Sequence, residues 1–263
     1  MKNVEINNVS IAYRDAGSGA PLVLLHAFPL NQSFWDDQVA AFAPSFRVIT
    51  LDWRGFGESG LGETPSSMDV FSEDLSALLD FLQIEKVTLC GVSMGGYAAF
   101  SFLRKYPHRV SALVLADTRS TSDTEEARAN RLKMAALARE QGSPIIADQM
   151  IPKLLGAGTL ANNPAVAARV RAMIEANSGE GIARALLGMA ERRDSTPLLP
   201  GIKCKTLVIV GEDDTLTPPK DSEAMATAIP GARLVIIPGV GHLSNIENPS
   251  EFNRVLGEFL STL

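Results

Sequence analysis

The chain has 263 residues, 46% hydrophobic and 21% charged, and a formal net charge of −6. That length fits one large α/β domain or a core with a modest insertion. The acidic balance argues against nucleic acid or an anionic membrane as partner. No apolar run reaches the roughly 18 residues of a membrane span, and the N-terminus lacks a signal-peptide apolar region, so a cytoplasmic location is the default expectation.

In chain order, short strands are predicted near 4–6 and 10–14, joined by the turn pair Asn7-Asn8. Residues 22–25 and 46–51 read as buried strands, the second ending at Asp52. Pro65-Ser66-Ser67 supplies a helix start, and Val70, Phe71, Leu75, Leu78, Leu79 and Leu82 follow at helical spacing. A strand at 86–90, a helix at 96–106 and a strand at 110–116 come next. Alternating strands and helices build a parallel sheet with helices on both faces.

From about 119 to 200 the rhythm changes. No strand-like run occurs there, only helical patches at 124–141, 144–155, 164–177 and 179–192 separated by Gly and Pro. A strandless stretch between two strands reads as a helical cap over the sheet, inserted in a core of 1–118 and 200–263. The core resumes with a strand at 206–210, a helix at 218–228 and a strand at 233–237. The last helix starts with Asn248 as N-cap, Pro249 at its first position and Glu251 three beyond the cap. Cys90 and Cys204, the two cysteines, sit in apolar strand-like segments with no metal spacing, and read as reduced packing residues.

One junction carries chemistry. Gly91-Val92-Ser93-Met94-Gly95 closes a buried strand and opens a helix, as a nucleophile elbow requires. A serine hydroxyl needs a base, usually histidine held by a carboxylate. Among three histidines, His26 ends a strand and His108 sits in a Tyr-Pro-His-Arg loop. His242 lies in a Gly-rich loop directly after the last strand, where an α/β sheet places its chemistry, and is the expected base. The carboxylate belongs between Ser93 and His242, after a strand. Gly211-Glu212-Asp213-Asp214 offers Asp214 first and Asp213 second, with Asp117 a more distant alternative. Both aspartates of the 211–214 turn also suit a solvated helix-capping turn. Gly55-x-Gly57-x-x-Gly60 matches a dinucleotide pattern literally, but no helix opens there, so no nucleotide cofactor is expected. Neither metal nor organic cofactor is called for.

Along essentially its whole length the chain resembles the α/β-hydrolase fold superfamily. Gly-Val-Ser-Met-Gly-Gly at 91–96, Gly-Glu-Asp-Asp at 211–214 and Gly-His-Leu-Ser-Asn-Ile-Glu-Asn-Pro at 241–249 match its nucleophile, acid and histidine segments in order. The family's Gly-x-x-Asp pattern falls on Gly211 and Asp214. The resemblance implies a mostly parallel eight-stranded sheet, helices on both faces and a helical cap after strand 6. It also implies an oxyanion hole from the backbone N–H groups of Phe28 and Met94, with His26 structural; Ala27 stands where the family's His-Gly-x-Pro has glycine.

Within the superfamily, His-x-Phe-Pro-Leu at 26–30 and Ala-Asp-Thr-Arg at 116–119 look like small esterases and 3-oxoadipate enol-lactonases. The expected function is serine hydrolysis of a small to medium carboxylic ester or lactone. Cofactor-free haloperoxidase or perhydrolase activity at the same site is the alternative. A ligand receptor with the triad and little turnover is the reading from another class. Trp53, Met134, Met150 and Leu187 are candidate pocket residues. No run of Arg or Lys flags an anionic substrate, so an uncharged ester is expected.

Overall fold

The computed structural model describes residues 1–263 and contains one eight-stranded sheet. The chain begins with β1 (Lys2–Ile6) and β2 (Val9–Ala16), which form a hairpin. Its turn residues Asn7 and Asn8 take φ of 49° and 58°, the left-handed pair that a tight hairpin demands and asparagine tolerates. Then come β3 (Ala20–Leu25), α1 (Asp36–Phe42), β4 (Phe46–Leu51), α2 (Met68–Phe81) and β5 (Val87–Val92). They are followed by α3 (Met94–Lys105) and β6 (Val110–Ala116). The helical segment comprises α4 (Glu125–Gln141), α5 (Ser143–Leu154), α6 (Ala157–Asn162), α7 (Pro164–Glu175) and α8 (Gly179–Ala190). The core closes with β7 (Lys205–Gly211), α9 (Pro219–Ala228), β8 (Arg233–Ile237), α10 (Ser244–Glu247) and α11 (Pro249–Leu260).

The strand order is β1-β2-β4-β3-β5-β6-β7-β8. β2 is antiparallel to β1 and to β4, and all other pairs are parallel. Every residue of β5 is buried, as are the last four of β3, because helices cover both faces of a parallel sheet. α2 packs on α3, and separately α1 packs on α10 and α11. The strand order turns back at β3 and β5, which are neighbours. Such a switch point opens a crevice at the strand C-termini, where doubly wound sheets bind ligands.

Between β6 and β7 there is no strand, only helices that pair α4 with α8 and α5 with α7. One continuous apolar core includes Ala138, Ile146 and Leu186 from this segment as well as the sheet. Several short elements escape the sequence pattern: α1, α6, α10 and the 3-10 turns Gln32–Trp35, Pro107–Arg109 and Thr196–Gly201. α6 is six residues with none buried, so no apolar period marks it. The last helix matches its reading, with the Asn248 side chain accepting from the Glu251 N–H at 3.1 Å.

Candidate active site

Ser93 stands between β5 and α3 with φ 55° and ψ −114°, a conformation costly for any residue with a Cβ. The surrounding backbone holds it there. Its N–H donates to the Ala116 carbonyl at 3.0 Å, and its own carbonyl accepts from Gly96 N, Tyr97 N and the Thr118 hydroxyl. The flanking glycines are required by close approach. A Cβ on Gly91 would collide with the Gly95 carbonyl, and one on Gly95 with the Leu25 carbonyl of β3. The elbow therefore lies tight against the neighbouring strand, and the serine hydroxyl projects from the turn.

His242 follows β8 and presents Nε2 to Ser93 Oγ at 2.8 Å. Its Nδ1 lies 2.8 Å from Asp214 Oδ2. Asp214 is fixed in turn by the Leu216 and Thr217 N–H groups at 2.8 and 2.9 Å, and by the Thr217 hydroxyl at 2.6 Å. Ser93, His242 and Asp214 are all buried. Burial disfavours a charged His242, but the charge and hydrogen bond of Asp214 outweigh it and hold the imidazole pKa above its usual value. Asp214 is held below the usual carboxylate value: burial opposes this, and His242 and Thr217 overcome it.

Of the three candidate acids, only Asp214 meets the histidine. Asp213 is exposed, and its N–H bonds the Val240 carbonyl at 2.9 Å. Asp117 is wholly buried at the end of β6, and its carboxylate accepts the Gly211 N–H at 2.8 Å and the Ser244 hydroxyl. It thereby ties the loop that carries Asp214 to the loop that carries His242. Burial first, then the nearby charge of Asp214, pushes its pKa up to about 8.

The loop after β3 sits beside the elbow. His26 is buried, with Nδ1 on the Ala27 carbonyl at 2.9 Å and Nε2 accepting the Trp53 N–H at 3.2 Å. Both nitrogens are occupied and burial lowers its pKa, so it is a neutral structural residue. Ala27 lies outside the positive-φ region, so alanine there needs no special backbone. The Phe28 N–H donates to no acceptor in the chain. Met94 opens α3, so its N–H has no partner within the helix. These are the two donors expected of an oxyanion hole.

Phe28, Ser93 and His242 line a cavity of about 230 Å³. Met134, Met150, Leu154, Leu186 and Met189 from the helical segment form its apolar wall. Two sequence expectations need correction. Trp53 is fully buried and stacks on Phe71 with ring centroids 4.8 Å apart, so it belongs to the core and not to the cavity. Leu187 is half-buried but lies off the lining, since one helical step turns Leu186 inward in its place.

The lining also carries charge that no run of Arg or Lys announces in the sequence. Arg119, Arg131, Lys153 and Arg192 all line the cavity, against Asp123 as the single carboxylate. Asp123 holds both Arg131, at 2.6 Å, and Arg192, at 2.5 Å. Arg119 faces Asp221 at 3.1 Å. Lys153 is exposed at the rim, with no carboxylate within ion-pair distance. The cavity is thus net positive in an acidic protein, because folding gathers cations that are scattered in sequence.

Sequence reasoning also missed Thr217 and Glu247. Thr217 carries a local signal, its place three residues after an aspartate, the spacing of a side-chain-to-backbone turn. Glu247 accepts the N–H groups on either side of His242, from Gly241 at 2.9 Å and Leu243 at 3.3 Å. Its other oxygen takes the Gly156 N–H and the Thr159 hydroxyl, at 2.8 and 2.6 Å. One carboxylate thus links the histidine loop to the helical segment.

Residues 20–249 match the family model of the alpha/beta hydrolase fold. The chain is 32% identical to 3-oxoadipate enol-lactonase 2 of Acinetobacter baylyi over 89% of its own length and 86% of that protein's. A malate-bound thermophilic esterase from Thermogutta terrifontis superposes with a TM-score of 0.97 at 42% identity, covering 100% of this chain and 99% of that one. The enol-lactonase of Burkholderia xenovorans LB400 superposes with a TM-score of 0.92 at 30% identity, covering 99% and 100%. By sequence, topology and the extent of these matches, the chain belongs to the α/β-hydrolase fold family.

Proposed function

We propose that the protein is a serine hydrolase that cleaves small carboxylic esters or lactones through an acyl-enzyme on Ser93. The observation that carries this reading is the unbroken line from Ser93 Oγ through His242 to Asp214, with both contacts at 2.8 Å. His242 Nε2 accepts the Ser93 proton as Oγ attacks the carbonyl carbon, and Asp214 offsets the charge gained by the imidazole. The tetrahedral oxyanion is bound by the Phe28 and Met94 N–H groups, the second at the positive end of α3. His242 then returns the proton to the leaving alcohol, and water cleaves the acyl-enzyme by the same roles in reverse.

The helices of 119–199 act as a cap over the core of 1–118 and 200–263, and supply most of the apolar wall. A cavity of about 230 Å³ suits a short acyl group. The cationic lining favours a substrate with an anionic group over the uncharged ester expected from sequence. The enol-lactonase and esterase relatives support the reaction class. A reducing cytoplasmic setting fits the two unpaired cysteines.

The test is a panel of chromogenic esters and lactones, with and without a carboxylate, given to the wild type and Ser93→Ala. Multiple turnover that disappears in Ser93→Ala supports the reading. A single turnover per molecule would indicate a ligand receptor, and undiminished turnover in Ser93→Ala would remove the nucleophile.

A further inference from the structure

Asn177 lies between α7 and α8, one residue before the Ser178 N-cap of α8, and is buried. Its side-chain oxygen accepts the Gly57 N–H at 2.7 Å. Its amide nitrogen donates to the carbonyls of Pro29 at 2.8 Å and Met173 at 2.9 Å, with that of Leu30 further off at 3.4 Å. An N–H on one side and carbonyls on the other fix which way the amide faces. A carboxamide meets this pattern and a carboxylate cannot. A Cβ on Gly181, in the first turn of α8, would collide with the Gly55 carbonyl, so this end of the helix presses on the same loop as Gly57. Asp52 of the core joins the same two loops, accepting the Gln32 N–H at 2.7 Å and the Glu58 N–H at 3.0 Å.

The Pro29 contact leads to the reacting atoms. No other group in the chain donates to the carbonyl of buried Pro29. Asn177 thus holds the 29–30 peptide unit, which is planar and trans, so that its carbonyl and its N–H point opposite ways. The N–H of that unit, on Leu30, donates to the Ala27 carbonyl at 3.0 Å. The Ala27 carbonyl belongs in turn to the trans 27–28 unit, whose N–H is that of Phe28. The donors therefore run from Asn177 through two peptide units and end on the N–H that reaches no acceptor in the chain. His26 Nδ1 holds the same Ala27 carbonyl at 2.9 Å, so the loop is clamped between a core histidine and an asparagine of the helical segment. Successive hydrogen bonds polarise one another, so losing the first weakens and misaligns the last.

We propose that Asn177 is a positioning residue for the oxyanion: through the Pro29 and Ala27 carbonyls it fixes the direction in which Phe28 offers its N–H. The inference rests on the hydrolase reading. In that reading the N–H meets full negative charge only in the tetrahedral state, so Asn177 acts on kcat and not on substrate binding. The segment that walls the cavity thereby contributes to turnover as well as to substrate fit.

Asn177→Asp and Asn177→Ala test this. Aspartate keeps an oxygen for the Gly57 N–H and loses the donor to Pro29. Alanine loses both but buries no charge, so it stands if the carboxylate unfolds the chain. Circular dichroism checks folding at the assay temperature. For one ester, kcat is expected to fall about tenfold in both variants with KM unchanged, less than the roughly 10²–10³-fold of deleting an oxyanion donor. A trifluoromethyl ketone of matching shape adds Ser93 Oγ to its carbonyl carbon, passes the serine proton to His242 and leaves an oxyanion. Its Ki is expected to rise by the same factor. The pH midpoint of kcat/KM in Asn177→Ala is expected to stay put, because the His242–Asp214 pair is untouched. Ser178→Ala removes the N-cap of α8, whose hydroxyl accepts the Gly181 N–H at 3.0 Å, and loosens the same segment without touching Pro29. It is expected to keep kcat. Wild-type kcat in either folded Asn177 variant, an equal loss in Ser178→Ala, or a moved pH midpoint in Asn177→Ala overturns the proposal alone. Turnover that survives Ser93→Ala, or a wild type that neither turns over esters nor binds the ketone, removes the hydrolase reading and this inference with it.

Discussion

Thr217 donates its hydroxyl to Asp214 Oδ2 at 2.6 Å, the same carboxylate oxygen that His242 Nδ1 reaches at 2.8 Å. With the Leu216 and Thr217 N–H groups on Oδ1, Asp214 is held at both oxygens, and so is the direction in which it aims the imidazole. Thr217→Val keeps the shape of the side chain and removes this donor. Because a hydrogen bond to a charged group is worth about 1.5–3 kcal/mol, kcat for ester hydrolysis is expected to fall by about tenfold or more, with KM nearly constant. Steady-state kinetics on one ester checks this; an unchanged kcat would mean that the backbone donors alone orient Asp214.

The pH dependence follows from His242. Only the neutral imidazole can accept the Ser93 proton, and Asp214 raises its pKa above the ordinary 6.5. Activity is therefore expected to rise with pH through a midpoint above 6.5. Asp214→Asn removes the raising charge, so the midpoint moves down while the plateau falls. Profiles of kcat/KM for both proteins measure the shift, and a wild-type midpoint below 6.5 would contradict it.

Asp117 gives a stability prediction of opposite sign to the usual carboxylate. Its pKa is pushed up to about 8 in the folded chain, against 3.8 for the free group. Between those values the folded state holds a proton that the unfolded chain releases, so this residue's contribution to stability falls as pH rises. Asparagine has no proton to lose, keeps an acceptor for Gly211 N–H, and can donate to Ser244. Urea denaturation across that range is expected to show Asp117→Asn gaining on the wild type as pH rises; a constant difference would place the proton elsewhere.

The cationic lining gives a prediction about substrate choice. Lys153→Gln is expected to raise KM for a carboxylate-bearing ester by severalfold and to leave a neutral ester almost unaffected. Lys153 is exposed, so the effect is modest and shrinks with added salt. Equal changes for both esters would mean that Lys153 acts through packing.

The sheet, the elbow and the order Ser93, Asp214, His242 were legible because each rests on local pattern: a buried strand, a turn requiring glycine, a loop after a strand. Trp53 and Leu187 were misjudged because composition and period do not tell which way a side chain faces once helices pack. The cationic cavity was invisible for a different reason. Arg119, Arg131, Lys153 and Arg192 are spread over the helical segment, and only its fold brings them together. Glu247 carries no sequence signal because its four donors come from two segments, at Gly156 and Thr159 and at Gly241 and Leu243, that are distant in the chain.

The most direct test of the central claim is intact-protein mass spectrometry, with peptide mapping, after reaction with a serine-directed sulfonyl fluoride. A single adduct on Ser93 in the wild type, and none in His242→Ala, is the expected result. An adduct on another residue, or full labelling of Ser93 without His242, would contradict a nucleophile activated by that histidine.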